Sequence, residues 1–318
     1  MATILVTGGA GFIGSHVTEA LLARGDRAVV FDDFNAFYDP EIKRRNAAAL
    51  ARAGAEIVEG DLRRPADVDR AFRHVGADAV IHLAAMAGVR PSIENPRLYV
   101  DVNLGGTTNV LDAAVAFGVK RVVFASSSSV YGNNPKTPFS EDDRVDDPIS
   151  PYAATKKAGE LLCHAYAHLH GQAITCLRFF TVYGPRQRPD LAIHKFAKLI
   201  RAGLPLPFFG DGSTRRDYTY VDDIVQGVVR ALDRAAGYRI YNLGESRTIS
   251  LSELVAALER TLGLKAVLDR RPEQQGDVKI TYADVSRAKR ELGYDPKTPL
   301  EEGLARFAAW LDAEERSR

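Results

Sequence analysis

The stretch Thr3-Ile4-Leu5-Val6-Thr7-Gly8-Gly9-Ala10-Gly11-Phe12-Ile13-Gly14 decides the fold of this chain. Its first residues favour a buried β-strand, and a helical pattern follows the glycines through Leu22. This order is typical of a dinucleotide-binding site, because glycines let the backbone approach a pyrophosphate and the helix N-terminus offers it unpaired N–H groups. The alternative is a glycine-rich turn that binds no ligand.

The second predicted strand, residues 27–31, leads into Asp32. This carboxylate lies about 20 residues after the glycines, where it can accept hydrogen bonds from the adenosine ribose hydroxyls. Asp33 follows it, and no arginine stands beside the pair, so a 2′-phosphate would be repelled. We therefore expect NAD rather than NADP as the cofactor.

Strand-like and helical segments alternate through the first half of the chain. This order predicts an α/β fold with a Rossmann-like, doubly wound parallel sheet. Prolines interrupt the chain after Gly184, and the stretch to Ser213 is interpreted as loops around one helix at 192–201. Further helices are predicted at 251–262 and 300–311. The predicted strands are 4–7, 28–32, 56–59, 79–83, 122–126 and 174–179.

The same pattern predicts two units. An NAD-binding Rossmann domain occupies residues 1–180, with returning segments near 214–245. Residues 181–318 form mainly a smaller, discontinuous C-terminal lobe that binds the substrate. Within the returning part, residues 221–232 and 239–243 are expected to rejoin the large domain.

The composition argues against several classes of partner. The 318 residues include 42 basic and 41 acidic ones, a net charge of +1, so neither nucleic acid nor a membrane is expected as a partner. No apolar run is long enough to span a bilayer, and Met1 leads directly into the first strand, so we expect a cytoplasmic protein. The histidines lack metal-ligand spacing, and no metal site is expected. The run Lys43-Arg44-Arg45 is interpreted as a solvated helix face rather than a binding patch.

A candidate catalytic pair lies in Tyr152-Ala-Ala-Thr-Lys156. Ser150 suits an N-cap and Pro151 the first turn of a helix, on which Tyr152 and Lys156 share one face. A phenol has a pKa of about 10, too high for a base at neutral pH, and a cation about 4 Å away stabilises the phenolate. Lys156 is therefore expected to lower the pKa of Tyr152. The alternative is an ordinary helix surface.

Further motifs follow in a fixed order along the chain. Together with the glycine turn and the Tyr–Lys pair, they resemble the extended short-chain dehydrogenase/reductases, in particular the nucleotide-sugar epimerases. The resemblance covers nearly all 318 residues. The additional motifs are Gly60-Asp61-Leu62, His82-Leu83-Ala84-Ala85, Ser126-Ser127-Ser128-Ser129-Val130-Tyr131-Gly132, Arg178-Phe179-Phe180-Thr181-Val182-Tyr183-Gly184-Pro185 and Arg216-Asp217-Tyr218.

This resemblance implies where NAD binds. Asp61 and Leu62 would contact the adenine, and Leu83, Ala84 and Ala85 would line the cofactor path. Lys156 would also hold the nicotinamide ribose. The implied cofactor-binding set is Gly8, Gly11, Phe12, Ile13, Gly14, Asp32, Asp61, Leu62, Leu83, Ala84, Ala85, Asn103, Tyr152 and Lys156, with Asn103 in a predicted helix that runs to Ala116.

The resemblance also implies a reaction. Tyr152 would take a hydroxyl proton while hydride leaves C4 of the sugar for NAD, and Ser127 would orient the hydroxyl. Related 4,6-dehydratases have Asp and Glu at the positions of Ser128 and Ser129, and UDP-glucuronate decarboxylases have Glu at the second position. Serine hydroxyls are poor proton shuttles at neutral pH but good hydrogen-bond donors. The two serines therefore favour return of the hydride to the opposite face of C4, which is an epimerisation.

Two residues indicate which sugar is bound. Thr181 stands where many UDP-hexose epimerases have Asn, and its surroundings resemble UDP-glucuronate 4-epimerases. Arg188 and Thr181 would bind the C6 carboxylate, since arginine pairs bidentately with carboxylates. The alternative is that Arg188 binds phosphate or braces a loop. Further implied substrate contacts are Ser129 near the sugar, Phe209 against the uridine, and Arg216 and Arg271 at the diphosphate.

Other functions stay open on the sequence alone. A UDP-glucose 4-epimerase is the nearest alternative, followed by a UDP-glucuronate decarboxylase and a non-catalytic NAD(H) sensor. Sensors usually lose the tyrosine or the lysine, and this chain retains both. A homodimer is expected, because related enzymes pair the helices that correspond to 103–117 and 151–170 into a four-helix bundle.

Overall fold

A computed structural model describes residues 1–273 and 278–316 of the chain. Its strands are β1 Thr3–Thr7, β2 Arg27–Asp32, β3 Glu56–Glu59, β4 Ala79–His82, β5 Arg121–Ser127, β6 Ala173–Phe179, β7 Thr181–Tyr183, β8 Pro205–Phe209, β9 Arg215–Tyr220, β10 Tyr238–Leu243, β11 Thr248–Ser250 and β12 Val267–Arg271. Its helices are α1 Phe12–Ala23, α2 Pro40–Arg52, α3 Pro65–Val75, α4 Val89–Glu94, α5 Pro96–Val100, α6 Thr107–Ala116, α7 Pro151–His170, α8 Ala192–Arg201, α9 Val221–Asp233, α10 Leu251–Leu262, α11 Ser286–Leu292 and α12 Leu300–Arg316. A π-helical segment, Asp101–Gly106, joins α5 to α6, and a 3₁₀ turn, Ser128–Tyr131, follows β5.

The central layer is a seven-stranded parallel sheet in the order β10–β6–β5–β4–β1–β2–β3. The predicted Rossmann-like parallel sheet is thereby confirmed. The strand order reverses at β1, with β2 on one side and β4 on the other, and ligands of such sheets bind at the carboxyl ends of the strands beside this reversal.

Helices cover both faces of the sheet, which explains the uninterrupted apolar runs of its strands. In β1, Ile4 and Val6 join the apolar cluster that contains α1 and α9 residues such as Val17 and Ile224. Leu5 between them points to the other face and joins a cluster with residues of α3 and α6. The inner strands of the sheet are therefore buried on both sides, whereas the edge strand β3 is only partly buried.

The later part of the chain adds two small sheets. β7, β9 and β11 form a three-stranded sheet, and β8 pairs with β12. The expectation of loops around α8 between Gly184 and Ser213 is therefore wrong for β8. Pro205 and Pro207 hid β8, because proline lacks the N–H of a ladder hydrogen bond and is confined to strands with a free edge. β10 lies beside β6 in the central sheet, and α12 extends to Arg316 rather than 311.

The described residues include neither a membrane-spanning helix nor a cluster of metal-binding side chains. None of the helices in 1–273 and 278–316 has the length and apolar character needed to cross a membrane. The same part of the chain holds no group of three or more His, Cys, Asp or Glu side chains placed to bind a metal ion.

Candidate active site

A deep cavity opens at the carboxyl ends of β1, β2, β4, β5 and β6. It extends from the glycine-rich turn, past the helix pair Tyr152 and Lys156, to the segment that follows β6. Sequence-predicted residues that line it are Gly8, Gly11, Phe12, Ile13, Gly14, Asp32, Asp61, Leu62, Leu83, Ala84, Ala85, Ser127, Ser128, Ser129, Tyr152, Lys156, Thr181 and Arg188.

The glycine-rich turn is packed too closely for side chains at two positions. Gly8 has φ +69°, and a Cβ there would lie 2.7 Å from the backbone nitrogen of Ala84. A Cβ on Gly14 would lie 2.1 Å from the carbonyl oxygen of Gly8. The turn therefore leaves bare backbone facing the cavity at the start of α1, as an approaching pyrophosphate requires.

Asp32 lies at the end of β2 with its carboxylate at the cavity wall. Its two oxygens accept from the backbone N–H groups of Ala10 at 3.2 Å and Phe34 at 3.0 Å. Burial raises the pKa of Asp32, and the Lys43 ammonium, 4.0 Å away, opposes that shift. An acceptor fixed in this way suits the adenosine ribose hydroxyls.

Lys43 is part of this cavity, so the interpretation of Lys43-Arg44-Arg45 as a solvated face is wrong for its first residue. Its side chain is 7% exposed, and its ammonium donates to the Asn35 carbonyl at 3.2 Å and lies 5.0 Å from the centre of the Tyr38 ring. Arg44 and Arg45 are exposed, as expected. The period of helix α2 places Lys43 and Asn46 inward, a signal visible in the sequence.

Asn103 does not line the cavity. The Asn103 amide accepts from the Met86 N–H at 2.8 Å and donates to the Met86 carbonyl and to Thr155 Oγ1, both at 3.0 Å. It therefore holds the cavity loop of Met86 against the helix that carries Lys156. These bonds give Asn103 a place in positioning the cavity wall, and its direct contact with the cofactor stays a prediction.

The helix of Tyr152 and Lys156 begins as predicted. Ser150 Oγ accepts from the Ala153 N–H at 3.1 Å, and Pro151 occupies the first turn. The Lys156 ammonium donates to the carbonyl of Ala125 at 2.7 Å, and it lies 6.0 Å from the centre of the Tyr152 ring. Ser127, at the end of β5, hydrogen-bonds the Tyr152 hydroxyl and the Ser129 Oγ.

Burial changes the pKa of both candidate catalytic side chains in the direction that favours the neutral form. It raises the pKa of Tyr152, while the hydrogen bond from Ser127 and the charge of Arg188 lower it by less. It lowers the pKa of Lys156 to about 8. The prediction that Lys156 lowers the pKa of Tyr152 did not take this desolvation into account. At Tyr152, desolvation changes the pKa more than the nearby hydrogen bond and charge do.

A buried ion pair fastens this helix to the sheet. Arg178 on β6 donates to both oxygens of Glu160 on α7, at 2.8 and 2.9 Å, and Ser126 Oγ donates to Glu160 at 2.6 Å. Both ionised side chains are at most 1% exposed. Glu160 lies one turn after Lys156, so the pair fixes the height of the Tyr152–Lys156 face above β5. Sequence reasoning missed it, because partners 18 residues apart leave no periodic signal.

Arg188 lies at the end of the cavity near Thr181. Its guanidinium forms a two-point ion pair with Asp190, with N–O distances of 3.0 and 2.7 Å, and stacks 5.1 Å from the centre of the Phe37 ring. Its side chain is 16% exposed. Phe37 and Tyr38 also line this part of the cavity, and the sequence-based site residues did not include them.

Three predicted substrate residues lie outside the set that lines the cavity. Phe209 ends β8, where the Arg90 guanidinium lies 5.7 Å from its ring centre. Arg216 lies on β9, and Arg271 on β12 forms an exposed ion pair with Asp269 at 2.7 Å. All three belong to the small sheets beyond β6, and their contacts with the substrate stay predictions.

A family model matches residues 4–244, described as the NAD dependent epimerase/dehydratase family. The chain belongs to this family. The glycine-rich turn and the Asp32 carboxylate are the features of the structure that fit NAD, the cofactor in the family's description.

Two relatives in this family are similar to this protein over almost its whole length. A UDP-glucuronate 4-epimerase of Arabidopsis thaliana is 46% identical, covering 97% of this chain and 76% of the relative. A probable UDP-glucuronate 4-epimerase of Rhizobium meliloti is 42% identical, covering 97% and 96%.

Solved structures agree in fold. The UDP-glucuronic acid 4-epimerase of Bacillus cereus in complex with UDP-glucuronic acid and NAD has a TM-score of 0.92 and 36% identity, covering 98% of this chain and 99% of that one. The UDP-glucose 4-epimerase of Thermotoga maritima with UDP-glucose has a TM-score of 0.91 and 33% identity, with the same coverage.

Proposed function

We propose that this protein is an NAD-dependent 4-epimerase that interconverts UDP-glucuronate and UDP-galacturonate. The observation that carries the choice of sugar is Arg188, a largely buried arginine that lines the same cavity as Thr181 and Tyr152. The similarity to UDP-glucuronate 4-epimerases supports the same reaction.

NAD would lie along the cavity, between the glycine-rich turn with Asp32 at one end and Lys156 at the other. Gly8, Gly11 and Gly14 would approach its pyrophosphate, and Asp32 would accept from its adenosine ribose. Lys156 would donate to the nicotinamide ribose. When bound, NAD supplies a hydride acceptor that takes the C4 hydrogen and gives it back to the opposite face.

Tyr152 would accept the proton of the C4 hydroxyl and later return it. Because burial raises the pKa of this phenol, the donors around it must stabilise the phenolate during the transfer. Ser127 supplies a hydrogen bond, and the positive charge of Arg188 acts in the same direction. Ser128 and Ser129 line the same wall and would orient the sugar hydroxyls.

Arg188 would bind the C6 carboxylate together with Thr181. Its N–H groups now pair with Asp190 in a two-point geometry, which is the geometry a substrate carboxylate requires. Oxidation at C4 makes the substrate a β-keto acid, which loses CO₂ when its carboxylate stands perpendicular to the ketone plane. A carboxylate fixed in another orientation, with serine rather than glutamate at position 129, would be protected from that loss.

A UDP-glucose 4-epimerase is the second candidate, supported by the Thermotoga maritima structure. Both enzymes would use Tyr152, Lys156 and the serines in the same way. They differ in what the sugar presents to Arg188, a carboxylate or a hydroxymethyl group. Two predictions of the sequence accompany either candidate: a homodimer and a cytoplasmic location.

A substrate panel tests the proposal. Purified protein with NAD is incubated with UDP-glucuronate, UDP-glucose and UDP-N-acetylglucosamine, and the products are separated by chromatography. We expect kcat/KM to be highest for UDP-glucuronate. In Arg188→Ala this preference should fall about tenfold to a hundredfold, because hydrogen bonds to a charged group contribute roughly 1.5–3 kcal/mol. Release of UDP-4-keto-pentose should accompany the loss.

Arg144→Ala is the matched control, since Arg144 also pairs with an aspartate two residues on, Asp146, but its side chain is 76% exposed. This variant should behave as wild type. Equal losses on all sugars in Arg188→Ala would mean that Arg188 serves the shared nucleotide. The proposed function would then be limited to that of a UDP-hexose epimerase.

A further inference from the structure

The segment 184–191, which carries Arg188, holds an unusual backbone. Gly184 has φ +145° and Arg186 has φ +62°, a left-handed conformation that L-residues with a side chain adopt at a cost of about 1–2 kcal/mol. A Cβ on Gly184 would lie 2.7 Å from a methyl group of Val221. Contacts elsewhere in the molecule must therefore hold this segment in place.

Helix α1 supplies those contacts through His16. The ring lies with Nε2 2.9 Å from the Pro185 carbonyl and Nδ1 3.0 Å from the Arg186 guanidinium. A carbonyl only accepts and a guanidinium only donates, so the ring must donate from Nε2 and accept at Nδ1. His16 is thereby a neutral imidazole with one defined tautomer. It hydrogen-bonds two consecutive residues of the segment, Pro185 and Arg186.

Glu19, one turn further along α1, completes the arrangement. Its carboxylate accepts from both Nη1 and Nη2 of Arg186, with the Nη1 contact at 3.0 Å. The Arg186 side chain is 17% exposed, although Glu19 is 46% exposed. The guanidinium is therefore shared between an imidazole and a carboxylate on the same face of α1, an arrangement that requires the planar fork of arginine.

We propose that His16, Glu19 and Arg186 form a latch that fixes segment 184–191 and so positions Arg188 for its ligand. The latch joins this segment to the helix whose N-terminal residues, Gly11 to Gly14, line the dinucleotide end of the cavity. That the ligand is a sugar carboxylate rests on the proposed function. The latch residues themselves lie outside the set that lines the cavity, so their effect passes through Arg188.

Two measurements on the NAD-loaded protein test the latch, using His16→Phe and Arg186→Met. His16→Phe keeps an aromatic ring against Phe12, which packs edge-on at 6.0 Å, and removes both hydrogen bonds. Arg186→Met keeps the length of the side chain and removes the donors. The control is Arg24→Ala, which breaks an ion pair from the other end of α1 to Asp233.

The first measurement is hydrogen–deuterium exchange of the peptide that contains residues 184–191. In wild type, the Gln187 N–H bonds to the Gly184 carbonyl at 3.1 Å and the Leu191 N–H to the Arg188 carbonyl at 3.2 Å. We expect both latch variants to exchange faster than wild type there, and Arg24→Ala to match wild type. Unchanged exchange in the latch variants would overturn the latch.

The second measurement is calorimetric titration with UDP-glucuronate and with UDP. We expect the latch variants to bind UDP-glucuronate about tenfold more weakly, the loss of one hydrogen bond to a charged group, and to bind UDP as wild type does. Equal weakening of both ligands, or of neither, would overturn the positioning of Arg188 by the latch. If wild type itself binds UDP-glucuronate no more tightly than UDP, the proposed substrate fails, and the exchange measurement still decides the latch.

Discussion

Tyr152 and Lys156 lie in a desolvated cavity wall, where burial shifts the pKa of each side chain toward its neutral form. In the proposed mechanism, the phenolate of Tyr152 would therefore be stabilised by the Ser127 hydroxyl and the Arg188 charge rather than by water. We expect Tyr152 to act as a base only while those contacts are in place.

Replacing the phenol hydroxyl isolates its role as a base. Tyr152→Phe keeps the ring, which packs edge-on against Tyr99 with 6.2 Å between centres, and removes the proton acceptor. We expect kcat to fall about 10²–10⁴-fold, the usual contribution of a positioned acid–base group. Bound NAD per chain, measured by absorbance of the denatured protein, should not change. Ser127→Ala should lower kcat less, and normal turnover of Tyr152→Phe would contradict the assignment.

We expect His82 to make the stability of the protein sensitive to acid. Burial and the charge of Lys156 lower the pKa of this imidazole to about 3, while an unfolded histidine titrates near 6.5. Below pH 6.5 the unfolded state binds the extra proton, so stability is complete above that pH and falls as the pH falls.

His82→Gln should reduce that sensitivity. Between pH 7 and pH 5, the free energy of unfolding of wild type should fall by about 2 kcal/mol more than that of the variant. Urea unfolding at the two pH values measures the difference. Parallel pH dependences would show that His82 is charged, or free to become charged, in the folded protein.

Individual site residues were predicted best where a motif fixes their position relative to a turn or a helix cap. Gly8, Gly14, Asp32 and Tyr152 sit at fixed distances from a turn or a cap, and all four line the cavity. The hydrogen bonds of Asn103 to Met86 and Thr155 could not be predicted, because these partners come from segments far apart in the chain.

At the scale of elements, the strands of the central sheet were predicted to within one or two residues. Runs of buried valine and isoleucine, as in β1 and β4, make such strands easy to recognise in the sequence. β8 was missed for the opposite reason, since its two prolines match the signature of a loop. The pairing of β12 with β8, which places Arg271, was not predicted either, and the assignment of Arg271 to the diphosphate stays a prediction.

The turn between β1 and α1 offers a test at this scale. In Gly14→Ala, the new Cβ would be 2.1 Å from the Gly8 carbonyl oxygen, so the backbone of the turn must move. We expect the variant to retain little NAD after purification, as judged by absorbance. Gly105→Ala is the control, because nothing lies within 4 Å of a Cβ there. Wild-type NAD content in Gly14→Ala would contradict the placement of the pyrophosphate at this turn.

At the scale of the whole molecule, the exposed apolar side chains of α5 and α7 bear on assembly. Leu161 and Leu169 on α7 are 58% and 71% exposed, and Val100 at the end of α5 is 47% exposed. Leu161 and Leu169 are eight residues apart, so they share a helix face. This surface is where the predicted four-helix interface of a homodimer would form.

Light scattering at micromolar concentration tests the dimer. Wild type should have twice the 34.7 kDa mass of the chain. Leu161→Glu should shift the mass to that of one chain, since the interface would have to bury a carboxylate without a partner. Leu264→Glu, at a 44% exposed leucine of the small lobe, should leave the mass unchanged. A wild-type monomer would contradict the prediction.

Epimerisation of UDP-glucuronate at C4 requires that the same hydrogen leaves and returns. This is tested most directly by incubation of the NAD-loaded protein with UDP-glucuronate deuterated at C4, followed by NMR of the products. We predict UDP-galacturonate that retains deuterium at C4, in ordinary water and without consumption of added NAD. Absence of UDP-galacturonate, replacement of the deuterium by solvent hydrogen, or a UDP-pentose as the main product would contradict the account.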